Sequence, residues 1–78
     1  MKVQATHLEG CFIIHDTVFA DERGYFFESY QQQKFNDAIG QPIQFVQDNQ
    51  SRSSYGVLRG LHFQKADAAQ AKLVRVLE

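Results

Sequence analysis

The sequence predicts an all-β fold of antiparallel strands with one short helix. Segments rich in β-branched and aromatic residues recur along the chain, clusters of turn-forming residues separate them, and a single segment has helical spacing. Short strands with turns at this spacing are typical of an antiparallel sandwich or barrel. With 78 residues, the chain has room for one small domain at most.

The first half of the chain contains two predicted strands, near Cys11–Phe19 and Tyr25–Ser29. Between them lies the cluster Asp21-Glu22-Arg23-Gly24, which predicts a tight connection. The pattern Ser29-x-x-Gln32 is a capping box, which marks the start of a helix.

One helix is predicted over Tyr30–Ile39. Apolar side chains follow the capping box at helical spacing, at Phe35, Ala38 and Ile39. Gly40 and Pro42 then end the helical segment, because glycine is common just past a helix and proline cannot continue one.

The second half returns to strand patterns. Strands are predicted over Ile43–Ser51, Val57–Gln64 and Lys72–Leu77, with a turn at Ser53–Gly56 and a polar loop at Lys65–Gln70. The last run, LVRVLE, reaches the final residue with no following turn. Because a strand in that position lacks a neighbour on one side, the pattern predicts the first half of a larger β-barrel.

Composition excludes several classes of protein. The formal net charge of −1 gives no electrostatic reason to expect nucleic acid or an anionic membrane as a partner. The single cysteine, Cys11, excludes an internal disulfide and a cysteine-based zinc site. The chain has no apolar run near the ~20 residues of a membrane span, and its first residues lack the apolar core of a signal peptide. We therefore predict a cytoplasmic protein.

Polar and charged residues interrupt the predicted strands at positions where a barrel interior requires apolar or small side chains. Burying one unpaired polar group costs about 1–3 kcal/mol, and burying an unpaired charge costs far more. Several such residues in one small sheet predict a wet, ligand-filled cleft with an imidazole inside it. The residues concerned are Gln47, Asn49, Arg59, His62 and Lys72.

Three segments, FADERGYFFESY, FVQDNQSRSSYGVLRGLHFQ and KLVRV, resemble the N-terminal half of the dTDP-4-dehydrorhamnose 3,5-epimerase family in order and spacing. The resemblance runs from about Cys11 to the last residue. It implies a double-stranded β-helix (cupin, jelly-roll) fold, with residues 1–78 as the N-terminal half of one epimerase domain. It also implies a homodimer with strand exchange and no metal or organic cofactor. The implied reaction inverts C3 and C5 of dTDP-4-dehydro-6-deoxyglucose and yields dTDP-4-dehydro-L-rhamnose.

The same resemblance implies roles for individual residues. His62 matches the general base, and Lys72 matches a lysine near the keto oxygen of the sugar. In the family, the strand pair that corresponds to residues 23–28 reaches into the partner subunit's site. The positions that match nucleotide- or diphosphate-binding residues are Arg23, Glu28, Gln47, Asn49 and Arg59.

These residue types suit the implied chemistry. The C4 ketone acidifies the protons at C3 and C5, and a neutral histidine is an effective base near pH 7. A lysine charge stabilises the developing enolate oxygen, and guanidinium groups bind phosphate oxygens in a bidentate manner. The proton donor, a tyrosine in the family, and the carboxylate that orients the histidine match no position in this chain.

Arg59 and His62 present a geometric problem, because strict strand alternation places them on opposite faces. A twist or bulge at Gly60 would bring both to one site, and Arg59 would otherwise reach the phosphates around the barrel rim. Gly56-x5-His62-x-Gln64 fits a metal-binding cupin pattern except at the second histidine, and glutamine is a poor metal ligand. We therefore predict no metal site.

Other interpretations remain open at the level of sequence. The chain could be a non-catalytic module that binds a dTDP-sugar, or a fragment that assembles by strand exchange without chemistry. Within the enzyme class, a relative that inverts only C3 or only C5 has the same motifs. We expect the isolated chain to be inactive, because its proton donor and orienting carboxylate are missing.

Overall fold

The computed structural model describes residues 1–65 and 69–77. The chain forms two units, Met1–Gln44 and Phe45–Glu78. All helices and strands of the described residues lie in the first unit, as two antiparallel hairpins and one short helix, which agrees with the predicted all-β class. Their bounds are β1 (Lys2–Ala5), β2 (Phe12–His15), β3 (Phe19–Asp21), β4 (Gly24–Phe26) and α1 (Gln32–Ile39).

The first hairpin pairs β1 with β2, with Val3 opposite Ile14. Phe12 and Ile14 are half-buried, whereas the side chains between and after them are exposed, so β2 has one packed face. Thr6 closes the connecting loop, where its hydroxyl donates to the carbonyl oxygen of Cys11 at 2.8 Å. β1 was not predicted from the sequence, although its residues alternate between polar and apolar.

The second hairpin pairs β3 with β4 and places Asp21 opposite Gly24. This confirms the tight connection. The single strand predicted over Cys11–Phe19 is wrong, because β2 ends at His15 and β3 begins only at Phe19. β1 begins opposite His15 and offers β2 no hydrogen-bonding partner beyond that residue. The strand predicted over Tyr25–Ser29 is likewise shorter, since β4 ends at Phe26.

Helix α1 begins later than the sequence predicts. Gln31 has extended backbone angles (φ −149°, ψ 121°), and its side chain accepts a hydrogen bond of 2.6 Å from the backbone N–H of Lys34. Gln31 is therefore the N-cap, and the predicted capping box at Ser29 is wrong. The predicted end is confirmed, because Gly40 is left-handed (φ 71°) and its N–H donates to the carbonyl oxygen of Asn36 at 2.9 Å.

Phe35 is the most buried hydrophobic residue of the first unit, with 6% of its surface exposed. Its ring lies 5.6 Å from that of Tyr30, centroid to centroid, and α1 packs against β1. Within residues 1–65 and 69–77, no helix is long and apolar enough to cross a membrane.

The second unit does not contain the three predicted strands in its described part, residues 45–65 and 69–77. A strand requires a neighbour to pair its backbone groups, and apolar side chains that pack on a sheet face become buried. Here Val46, Leu58 and Val74 are at least 80% exposed. The turn at Ser53–Gly56 is confirmed by a hydrogen bond of 3.2 Å from the N–H of Val57 to the carbonyl oxygen of Ser54. The predicted polar loop lies partly outside the described residues.

We expect Gln31→Ala to destabilise α1 by about 0.5–2 kcal/mol, because it removes the side-chain acceptor of the N-cap. Gln32→Ala is the matched control: it makes the same substitution one position later, inside the helix, where alanine is favourable. Amide hydrogen exchange of residues 34–39 measures the difference. Equal exchange rates in the two variants would contradict the cap assignment.

Candidate functional site

The seven residues that the sequence predicts for the site are divided between the two units. Arg23 and Glu28 lie in the first unit, and the other five lie in the second. All seven are exposed. Hydrogen bonds or ion pairs hold five of these side chains, and His62 and Lys72 have none within the described residues.

Arg23 forms an ion pair with Asp21 at the loop between β3 and β4. Its Nη2 donates to Oδ2 of Asp21 at 2.6 Å, its Nε donates to both carboxylate oxygens at 3.2 and 3.3 Å, and its backbone N–H donates to Oδ1 at 2.9 Å. These side-chain bonds, followed by the backbone bond, lower the pKa of Asp21, and the carboxylate raises the pKa of Arg23. The pair forms although its side chains are 86% and 50% exposed.

An open cavity of about 240 Å³ lies against this hairpin. It combines the ion pair with three aromatic side chains, all of them mostly exposed. Such a surface offers both charge-assisted hydrogen bonds and ring faces to a ligand. The lining residues are Phe19, Asp21, Arg23, Gly24, Tyr25 and Phe26.

Glu28 follows β4 and is held by α1. Nζ of Lys34 donates to its Oε1 at 2.9 Å, and both side chains remain about half exposed or more. The helix is capped at Gln31, which places Lys34 in the first turn. The helix start thus determines where the lysine meets the glutamate.

Gln47 and Asn49 contact each other in the second unit. Nε2 of Gln47 donates to Oδ1 of Asn49 at 3.3 Å. The two amides meet although the strand predicted over Ile43–Ser51 is absent. Within the described residues, each of the two amides keeps at least one N–H donor that can bind a ligand.

Arg59 is anchored to the residues that precede and begin the Ser53–Gly56 turn. Its Nε donates to Oγ of Ser53 at 2.5 Å, and its Nη2 donates to the carbonyl oxygen of Arg52 at 3.3 Å. Both acceptors are uncharged groups, so neither of them forms an ion pair with the guanidinium. Its remaining N–H groups have no partner within residues 1–65 and 69–77, so they can bind an anion.

His62 and Lys72 have no hydrogen bond or ion pair within the part of the chain that the structure describes. Both are exposed, and the neighbours of His62, Leu61 and Phe63, are exposed too. The expectation of an imidazole enclosed in a cleft is therefore wrong for this chain. Gly60, between Arg59 and His62, has φ 155°.

Sequence reasoning missed the side chains that hold the predicted site residues: Asp21, Lys34 and Ser53. Only Asp21 has a readable signal, since an aspartate two residues before a loop position commonly bonds to the backbone there. Lys34 and Ser53 contact residues six positions away in the sequence, where the chain reverses direction. The spacing of apolar residues does not predict such contacts. Among residues 1–65 and 69–77, no three histidine, cysteine, aspartate or glutamate residues are grouped so that they could hold a metal ion.

A protein-family model described as dTDP-4-dehydrorhamnose 3,5-epimerase matches residues 5–78. The chain belongs to this family. The resemblance that its three motifs carry is thereby confirmed, and the match extends beyond them to include β2 and α1.

Curated relatives support the same family. The chain is 53% identical over 75 residues to a dTDP-4-dehydrorhamnose 3,5-epimerase of Escherichia coli (strain K12), covering 96% of this chain and 40% of the relative. It is 55% identical to the enzyme of that name from Salmonella typhimurium, with 96% and 41% covered. A dTDP-4-dehydrorhamnose 3-epimerase of Streptomyces niveus is 39% identical, with 95% and 37% covered.

The chain therefore spans about 40% of the length of these relatives. No solved structure is significantly similar to it.

We expect Asp21 to titrate below its ordinary pKa in the wild-type chain and to return towards it in Arg23→Gln. Because the pKa of Asp21 is lowered, its ion pair is complete above the ordinary value and is lost as the pH falls through the lowered one. Side-chain carboxyl chemical shifts measured against pH give both values. A titration of Asp21 unchanged by Arg23→Gln would contradict the contact.

Proposed function

We propose that the chain is the N-terminal half of a single jelly-roll domain of a dTDP-4-dehydrorhamnose 3,5-epimerase. The observation that carries the proposal is the identity of more than 50%, across nearly the whole chain, with relatives of that name. The site chemistry supports it, because a nucleotide-linked keto sugar requires diphosphate binding and a base, and the chain has residues suited to both.

Five side chains bind the substrate in this proposal. Arg23 and Arg59 bind the diphosphate, and each already has its guanidinium oriented by neighbouring oxygens. A guanidinium group that is already held in place loses less conformational freedom when an anion binds. Glu28, Gln47 and Asn49 provide hydrogen bonds to the nucleotide.

His62 is the base of the proposed reaction. A neutral ring nitrogen takes the proton from C3 or C5, the electron pair of the broken C–H bond forms the enolate, and negative charge develops on the C4 oxygen. Lys72 stabilises that oxygen, where its charge acts more strongly in the transition state than in the ground state. An acid outside this chain returns a proton to the opposite face of the carbon, which inverts it.

The fold and assembly belong to the same proposal. The exposed apolar side chains of the second unit, such as Val46, Leu58 and Leu61, suit strands that pair with further strands of a jelly-roll. Such neighbours would also enclose His62. We propose a homodimer with strand exchange, in which the hairpin of β3 and β4 contributes Arg23 to the partner's site. We place the protein in the cytoplasm, with no nucleic acid or membrane partner.

A 3-epimerase is the second candidate, favoured by the relative from Streptomyces niveus that carries this name. Both reactions share the base and the enolate, and they differ in whether C5 is also deprotonated. Solvent deuterium incorporated at C3 alone, by the protein that contains this chain, would identify a 3-epimerase.

The direct test is a chimera in which this chain replaces the matched segment of the Escherichia coli relative. We expect the chimera to incorporate solvent deuterium into dTDP-4-dehydro-6-deoxyglucose. His62→Asn should lower the rate by about 10²- to 10⁴-fold, because it removes the positioned base.

His7→Asn is the matched control, since His7 is an exposed histidine outside the site. It should leave the rate unchanged. A folded chimera in which His62→Asn exchanges deuterium as fast as the parent would contradict the assignment of the base.

For the 78-residue chain alone, we expect deuterium exchange no faster than in buffer, because the proton donor and the carboxylate that orients His62 match no residue in it. Mass spectrometry of the recovered sugar nucleotide measures the exchange. Exchange clearly above buffer would show that this chain forms the enolate without those two groups.

A further inference from the structure

We propose that Asp21 is a positioning residue for Arg23: it fixes the guanidinium so that its outer edge faces a nucleoside diphosphate. This inference rests on the proposed function, since it concerns how that function binds its substrate. Asp21 itself is not expected to touch the reacting atoms.

The geometry of the pair carries the inference. Asp21 occupies the inner edge of the guanidinium, formed by Nε and Nη2, and it also accepts the backbone N–H of Arg23. One carboxylate therefore holds both ends of the arginine. Nη1 has no partner within the described residues, so the outer edge is available to phosphate oxygens in the bidentate manner that guanidinium groups favour.

The position of the pair supports the same conclusion. Asp21 is the last residue of β3 and lies opposite Gly24 in the ladder, so its backbone is held by the hairpin. Arg23 lies in the loop, and without the carboxylate its long side chain would sample many rotamers. The open cavity lined by both residues and by the exposed rings of Phe19, Tyr25 and Phe26 gives a ligand access to the pair.

Positioning and simple charge predict opposite effects on affinity. A carboxylate near a diphosphate repels it, so removing its charge should tighten binding if charge alone matters. If Asp21 orients Arg23, removing the carboxylate should weaken binding despite the lost repulsion. Asp21→Asn separates the two, because the asparagine side-chain oxygen can still accept the backbone N–H of Arg23 and preserve the turn.

Glu22→Gln is the matched control. It removes the same charge from the adjacent loop residue, and Glu22 has no hydrogen bond or ion pair within the described residues. We expect Asp21→Asn to weaken dTDP binding about threefold and Glu22→Gln to leave it equal or slightly tighter. In an Arg23→Ala background, Asp21→Asn should no longer weaken binding.

The experiment is an NMR titration of the chimera with dTDP, together with ¹⁵N relaxation of the Arg23 Nε–Hε group without ligand. The Nε–Hε order parameter should fall in Asp21→Asn and stay at the wild-type value in Glu22→Gln. A role confined to the turn would leave it unchanged in both variants, because asparagine retains the backbone hydrogen bond.

The outcomes separate this inference from the proposed function. Equal or tighter dTDP binding by Asp21→Asn, or an unchanged order parameter, overturns the positioning role, while wild-type binding to dTDP leaves the nucleotide site of the proposed function in place. A wild-type chimera that does not bind dTDP at millimolar concentration overturns both the nucleotide site and the role of Asp21 in it. A lowered order parameter together with weakened binding supports the inference.

Discussion

A β-strand exists only where a neighbour accepts and donates its backbone hydrogen bonds, and this constraint shapes the whole chain. β1 and β2 satisfy each other over four residue pairs, and β3 and β4 over three. Within each hairpin, a strand ends where its partner strand ends. The second unit has strand-like sequence patterns, but its described residues form no ladder, and most of their apolar side chains stay exposed.

This constraint explains which parts of the fold were predictable. The loop at Asp21–Gly24, the end of α1 at Gly40 and the turn at Ser53–Gly56 follow from local chemistry, so the sequence predicts them correctly. The strands predicted over Val57–Gln64 and Lys72–Leu77 depend on distant partners. Alternation reports which side chains suit a sheet, and it does not report whether a neighbouring strand is present.

In the candidate site too, the sequence predicts local features and does not predict contacts between residues. The motifs identify residue types at family positions, and they cannot identify the contacts that hold those residues. Asp21, Lys34 and Ser53 each hold a predicted site residue, and Asp21 alone has a local sequence signal. His62 is the extreme case, because its proposed role requires an enclosed site while the imidazole of this chain is exposed. We propose that the neighbouring strands of a complete jelly-roll provide that enclosure.

Amide hydrogen exchange of residues 57–64 tests this central claim most directly, measured in the isolated chain and in the chimera with the Escherichia coli relative. The account predicts near-random-coil exchange in the chain and strong protection in the chimera, because only the chimera would provide a ladder around His62. Equal exchange rates in the two proteins would contradict the claim that further strands order this segment.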